Sequence, residues 1–406
     1  MELTQLYELA RQIEQTNAKQ YEDVCQQIFD FAELGCEEYK SSKYLTQQLE
    51  ALGFTVTMPY GGLETAFRAE YGSGHPKIAF LSEYDALPGY GENKDQNGHA
   101  CGHNWIAANT FGACAVLAQL KDHFDGTIVY MGCPAEEMLG GKVNMVDSGC
   151  FDDIDMAVQI HIAAGDTTNL GSSTLAIDSV EFIYHGVATH AAGSPERGIN
   201  ALDACYLMFD GVNALRQHTT PDSRIHGIIV DGGTAPNITP AFARSKWFVR
   251  AADRKYLNGL TQKVVNCAKG AAMMTGATME WKYFENSYDN MKLNPTLISL
   301  FADCMHSAGV ENVNTEVQPP SGSSDVGNVA WVCPTVMANM GVGNTDNSGC
   351  HEEAFLSYCT GPYGFAALHK AILAQVFLAL NVFTDTQLQQ KLAEDKAVLT
   401  KERAEK

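Results

Sequence analysis

Ile78-Ala79-Phe80-Leu81-Ser82-Glu83-Tyr84-Asp85 is an apolar run that ends abruptly in acid. The run at 126–133 repeats the pattern, closing on Pro134-Ala135-Glu136-Glu137. Short continuous apolar runs of this kind read as central strands of a buried sheet. In open α/β sheets the chemistry gathers just beyond the carboxyl ends of such strands. Between the two runs stands His99-Ala100-Cys101-Gly102-His103-Asn104, a thiol and an imidazole one residue apart in a glycine-containing turn. A further short strand, 158–161, ends on His161. Thiolate, imidazole and carboxylate converging on one sheet edge make a metal site, and a spare carboxylate beside it makes a hydrolase.

Outward from these runs, 39–52 carries helical spacing and stops at Gly53, and 107–120 is an alanine-rich apolar helix. Short strands are expected at 54–57 and 65–70. The alternation is that of an α/β architecture, a mixed central sheet flanked by helices. From about residue 180 the texture changes. Strands at 180–184, 224–230, 245–252 and 278–284 are interleaved with helices at 199–217 and 256–274. Strand-helix-strand-strand-helix-strand is the order of a ferredoxin-like α+β unit. The chain therefore reads as a catalytic domain in two parts, 1–178 and 288–406, with an inserted domain at 179–287. A length of 406 residues favours two domains independently.

Charged residues make up only 18% of the chain, which marks it as folded rather than disordered. A net charge of −21 argues against nucleic acid or an anionic membrane as partner, because both would repel it. The start, Met1-Glu2-Leu3-Thr4-Gln5-Leu6, lacks the basic-then-apolar pattern of a signal peptide. No uninterrupted apolar window of bilayer-spanning length is found. The twelve cysteines are scattered, mostly in apolar segments, and read as reduced core thiols. The expectation is a cytoplasmic protein.

The candidate metal ligands are Cys101, His103, Glu137, His161 and His351. Five exceed what one tetrahedral ion takes and suit two divalent ions sharing a water. Glu136, adjacent to Glu137, cannot easily bind the same ion but can reach its water as general base. The mixed nitrogen, sulfur and oxygen shell suits zinc; residue type does not separate zinc from manganese, cobalt or nickel. A lone Cys-x-His is more often a core thiol beside a turn histidine, but the glutamate pair and two further histidines reverse that balance. His351-Glu352-Glu353 begins like a zincin helix, yet Phe355 stands where the second ligand belongs. His99 reads as orienting its turn. His190 is either a surface residue or a donor to substrate. Asp85 is either a helix cap or a hydrogen-bond partner orienting a ligand imidazole. The rival chemistry is a Cys101 nucleophile with His103 as base, which leaves Glu136, Glu137, His161 and His351 without a task. A catalytically silent binding protein is a second rival, and it would have no use for Glu136.

The chain resembles the aminoacylase and glutamate-carboxypeptidase family of two-metal metallopeptidases. Within it, the nearest branch is the amidohydrolases that include aminobenzoyl-glutamate, hippurate and indoleacetyl-amino-acid hydrolases. The likeness rests on Ala32-Glu33-Leu34-Gly35 with Glu37-Glu38, on Ser82-Glu83-Tyr84-Asp85-Ala86-Leu87-Pro88, and on Gly98-His99-Ala100-Cys101-Gly102-His103. Pro134-Ala135-Glu136-Glu137 and the stretches 186–204, 232–240 and 321–334 extend it over nearly the whole chain. The resemblance implies that Cys101, His103, Glu137, His161 and His351 are ligands and Glu136 the general base. It implies that His190 is the histidine a partner subunit's lid offers to the developing oxyanion, and that Asn237 lies near substrate. The family's usual His-x-Asp is Glu83-Tyr84-Asp85 here, so His103 takes the missing histidine's place and Asp85 keeps its orienting role. Asn237 and Arg250 are candidate clamps for a substrate carboxylate, Arg250 reading equally as a lid-surface ion pair. Asn104 and Trp105 are expected beside the site, where they would alter the acyl pocket. The implied protein is a metal-dependent amidohydrolase acting on an N-acyl amino acid or dipeptide-like substrate, and a homodimer through the lid.

Overall fold

The computed structural model describes residues 1–346 and 348–406. The chain forms two compact units. One comprises Met1–Ser173, Met291–Pro319 and Asp325–Glu405; the other comprises Thr174–Asn290, Pro320–Ser324 and Lys406. The sequence-derived boundary at 179 falls inside the strand Ala176–His185.

The first unit is built on an eight-stranded sheet in the order Thr55–Thr57, Phe67–Ser73, Gly126–Gly132, Lys77–Ser82, Met156–Ala163, Thr335–Gly341, Thr168–Asn169, Val313–Asn314. The four strands from Gly126–Gly132 to Thr335–Gly341 run parallel, whereas Phe67–Ser73 is antiparallel to its neighbour, so the sheet is mixed. Alternation across the pleat explains why these strands are central. Ile78, Phe80, Ile128, Tyr130, Val158 and Ile160 enter one core, while Ala79, Leu81, Val129, Met131 and Ala157 enter another on the opposite face. With both faces covered, no polar side need alternate with the apolar one. Each large apolar side chain so buried contributes about 1.5–3 kcal/mol.

The helix His103–Gln119 is buried over its first fifteen residues, His103 to Leu117, and is mostly apolar, its buried Asn104, Asn109 and Thr110 each hydrogen-bonded to a neighbouring carbonyl. It shares that core with the helices Leu3–Phe31 and Gly361–Thr384. The last of these is long and apolar. It is 24 residues long and apolar enough by composition to cross a membrane, but 67% of its most apolar stretch is buried within the protein. His369, Lys370 and Gln375 interrupt the run in sequence, which is why a search for unbroken apolar residues passes over it.

The second unit is a four-stranded antiparallel sheet in the order Arg224–Asp231, Phe242–Ala251, Ala176–His185, Thr278–Tyr283. Two helices, Ala201–Leu215 and Arg254–Thr275, cover one face through Val180, Phe182, Tyr184, Trp247 and Val249. This is the ferredoxin-like arrangement. Asn200 and Asp253 cap the two helices by accepting first-turn amides.

Candidate metal centre

Adjacent parallel strands end together, and the register Ser82↔Gly132 brings two acidic turns to one place. The turn after Lys77–Ser82 carries Glu83 and Asp85; the turn after Gly126–Gly132 carries Glu136 and Glu137; Met156–Ala163 carries His161 near its own end. Cys101 and His103 reach the same spot through Gly102, whose φ is +76°. A Cβ there would lie 2.2 Å from Ile162 Cγ2, so only glycine lets the turn pass so close to the strand. Ala135, at φ +58°, aims the glutamate pair. Its amide donates to Glu38 Oε1 at 2.8 Å, and Thr65 Oγ1 donates to the other Glu38 oxygen at 2.8 Å. A buried carboxylate thus holds a left-handed residue that would otherwise be costly. Burial, followed by the charge of Asp85, pushes the Glu38 carboxyl up to about 7.

Asp85 organises the ligands. One of its oxygens faces His103 Nδ1 at 2.8 Å, and the other accepts the Glu137 amide at 3.0 Å. With a carboxylate as partner, His103 Nδ1 carries the proton and Nε2 presents its lone pair to the site. His161 adopts the same tautomer, because Nδ1 lies 2.6 Å from the Ile162 carbonyl. Its Nε2 is 3.5 Å from Cys101 Sγ. His351 sits at φ +73°; its amide donates to the Ala100 carbonyl at 2.9 Å and its carbonyl accepts from the Tyr90 hydroxyl at 3.1 Å.

These donors fit a divalent cation. Cys101, His103 and His161 offer donor atoms within 4.8 Å of one another, and so do Cys101, Glu137 and His351. His103 Nε2, Glu137 Oε1 and Glu83 Oε2 are buried without a hydrogen-bond partner. His351 Nε2 and Glu137 Oε1 are 3.1 Å apart but not in hydrogen-bond alignment. A buried polar atom left unpaired costs about 1–3 kcal/mol, so several facing one cluster of nitrogen, sulfur and oxygen donors mark a cation site.

Electrostatics separates the adjacent glutamates. Burial, then the charges of Glu83, Asp325 and Glu137, pushes the Glu136 carboxyl well above its usual range. Burial would raise Glu137 as well, but His351 and His103 outweigh it and hold that carboxyl at about 2. Two neighbouring carboxyls driven apart in this way are suited to different tasks.

The sequence reading gave no role to Lys142, Asp325 or Glu38. Lys142 and Asp325 are both fully buried. The Lys142 ammonium donates to Glu83 Oε1 and, at 2.7 Å, to Asp325 Oδ1. Glu83, named only as a departure from the family pattern, lies with its free oxygen 3.5 Å from His103 Nε2. Burial opposes its ionisation, but Lys142, His103 and His161 together hold it at about 2.

His99 Nε2 meets the Ile28 carbonyl at 3.0 Å, and burial holds the ring at about 3, hence neutral. Asn104 and Trp105 do not line an acyl pocket. Both are fully buried; Asn104 donates to the Cys25 and Cys359 carbonyls and Trp105 Nε1 to the Gly364 carbonyl, because at the start of a core helix these positions face neighbouring helices. The Cys101 thiol faces His161 more directly than the expected His103, and the Cys350 thiol and burial push it well above its usual range. A thiol so disfavoured as thiolate is a poor nucleophile, though a bound cation would ionise it. In the second unit, His190 is exposed and its Nδ1 accepts the amides of Ala192 and Gly193 at 3.2 and 2.9 Å. The exposed Asn237 lies beside the Ile238–His190 bridge. Arg250 donates to Ser323 Oγ at 3.0 Å, not to a carboxylate, and its buried Nε has no partner.

A mixed α/β sheet with thiol, imidazole and carboxylate donors at its strand ends, and a spare glutamate beside them, defines a metal-dependent hydrolase. The chain belongs to peptidase family M20/M25/M40, whose profile matches residues 79–374. It is 36% identical over 326 residues to the Xaa-Arg dipeptidase of Mus musculus, covering 76% of this chain and 73% of that one. It is 34% identical over 327 residues to one of the subunits of the p-aminobenzoyl-glutamate hydrolase of Escherichia coli, covering 77% and 68%. Among solved structures, a dinuclear metal binding peptidase of Bacillus subtilis shares the fold with a TM-score of 0.68 at 20% identity, over 91% of this chain and 99% of that one. The protein is a hydrolase of amide or peptide bonds.

Proposed function

We propose that the protein cleaves the amide linking an acyl or aminoacyl group to a terminal amino acid. Cys101, His103, Glu137, His161 and His351 would hold two divalent ions, zinc or manganese ahead of cobalt or nickel. Bound there, such ions polarise a carbonyl and lower the pKa of water. Glu136 takes the proton of the attacking water and delivers it to the leaving nitrogen, a task matched to its raised pKa. Asp85 keeps His103 in its ligand tautomer and ties down the Glu137 backbone. His190 uses Nδ1 to accept backbone amides, so its Nε2–H is the free donor for a developing oxyanion. Asn237 and Arg250 hold the substrate's carboxylate. The relatives whose names specify an arginine dipeptide and an aminobenzoyl-glutamate support a substrate of this shape.

The observation that carries this reading is the set of unpaired buried donor atoms at the strand ends with Glu136 beside them. The test is a screen of N-acyl amino acids and dipeptides on protein reconstituted with each metal, reading free amine and metal per chain. Full activity in chelator, with no stoichiometric metal, would end it. We further propose a homodimer paired through the second unit, and a cytoplasmic setting, which the twelve free cysteines support. Sedimentation and cell fractionation check these two points.

A further inference from the structure

Beside the ligand cluster lies a second charged group, of which the proposed chemistry uses only Glu136. Glu83, Glu136 and Asp325 each bring a carboxylate oxygen within 4.8 Å of the other two. The cation set among them is Lys142, which bonds Glu83 and Asp325 at once. Asp325 grips the lysine at both ends: Oδ1 takes the ammonium, and Oδ2 accepts the Lys142 amide at 3.0 Å. The backbone is fitted to this contact. A Cβ on Gly141 would lie 2.1 Å from the Pro134 carbonyl, so glycine is what allows the lysine segment to press against the turn bearing Glu136.

A fully buried lysine is expensive, several kcal/mol per ion before pairing, and apolar replacements often match a buried ion pair for stability. Its place next to the candidate base points to a task. We propose that Lys142 is a positioning residue: its ammonium locks Glu83 and Asp325, and these two carboxylates bracket Glu136 and hold it at the side of the ligand cluster. The proposal rests on the reading of Glu136 as the base. Lys142 bonds Glu83 and Asp325 and none of the five proposed ligands, so its removal is expected to act on geometry rather than on metal capture. Misplacing a reacting group by about 1 Å can cost a hundredfold in rate.

The test compares wild type with Lys142→Ala, measuring metal per chain, kcat and KM on an N-acyl amino acid, and thermal unfolding of metal-free protein. The expected result is unchanged metal content, KM within about threefold and kcat lower by about a hundredfold. Propylammonium added to the variant should restore at least tenfold of that loss and raise its metal-free melting temperature saturably, whereas tetramethylammonium, which cannot donate, should do neither. If Lys142→Ala does not fold, the charge-balanced pair Lys142→Met with Asp325→Asn should show the same kcat loss at full metal content. A kcat within threefold of wild type overturns the proposal. So does a loss that merely tracks missing metal, or one that no alkylammonium relieves in Lys142→Ala. Glu136→Gln inactive with Lys142→Ala unimpaired sinks this proposal alone; Glu136→Gln turning over normally sinks the base assignment with it.

Discussion

At Glu136 and Glu137 the chain carries the same side chain twice and gives it two environments. Glu137 is held ionised by His351 and His103, while burial and acidic neighbours push the Glu136 carboxyl upward. Glu136→Gln is therefore expected to keep its metal and lose about a hundredfold to ten-thousandfold in kcat. Glu137→Ala should lose metal first, with activity falling in proportion. Elemental analysis beside steady-state kinetics separates the two, and reversed effects would exchange the roles. The pair was legible in sequence because two acids directly follow an apolar run. Lys142 was not: a lysine in Gly141-Lys142-Val143 has the ordinary prior of a solvated helix residue. Its partners Glu83 and Asp325 lie far away along the chain, and only the folded sheet edge brings them to it.

Among the elements, the turns following the strands matter more than the strands themselves. The central strands were readable from their continuous apolar runs, since burial on both faces leaves that mark. The turn geometry was not, because Ala135 in a left-handed conformation has no signature in its side chain. Glu38, which secures that turn, looks from the sequence like an acid at the start of a surface helix. Its carboxyl rises from 4.5 to about 7 on folding. The folded state then binds more protons than the unfolded state between those values, so this contribution to stability declines as pH climbs from about 4.5 through 7. Glu38→Gln keeps an acceptor for Ala135 and a partner for Thr65 while removing the charge. Relative to the variant, wild type should lose on the order of 2 kcal/mol between pH 5 and pH 8. Denaturant unfolding at the two pH values checks this; a constant gap between the proteins would contradict it.

For the whole molecule, the second unit offers a surface that asks for a partner. Its edge strand Arg224–Asp231 exposes Ile228, Ile229 and Val230, and exposed apolar edge strands pair readily with another chain. If two copies pair there and His190 of one subunit serves the other's site, His190→Ala should lose about a hundredfold, the scale of one oxyanion donor. Mixing inactive His190→Ala with inactive Glu136→Ala under subunit exchange should then recover part of the activity, since one mixed site carries both intact groups. Verified mixed dimers without recovery would place His190 in its own chain's service or in none.

His351, the last candidate ligand along the chain, is fastened by its own peptide groups to Ala100 and Tyr90. Its seat does not depend on an ion to pull it in. The stripped protein should therefore remain folded and wait, its stability lower only by the free energy that ligand binding adds, RT ln(1 + [L]/Kd). Chelation should silence the enzyme without unfolding it, and replenishment should revive it within the time of mixing, as circular dichroism alongside an amine assay would record. Slow, incomplete recovery with lost secondary structure would contradict this. An enzyme so made keeps no metal by force of folding, and its output follows the supply of free ion around it.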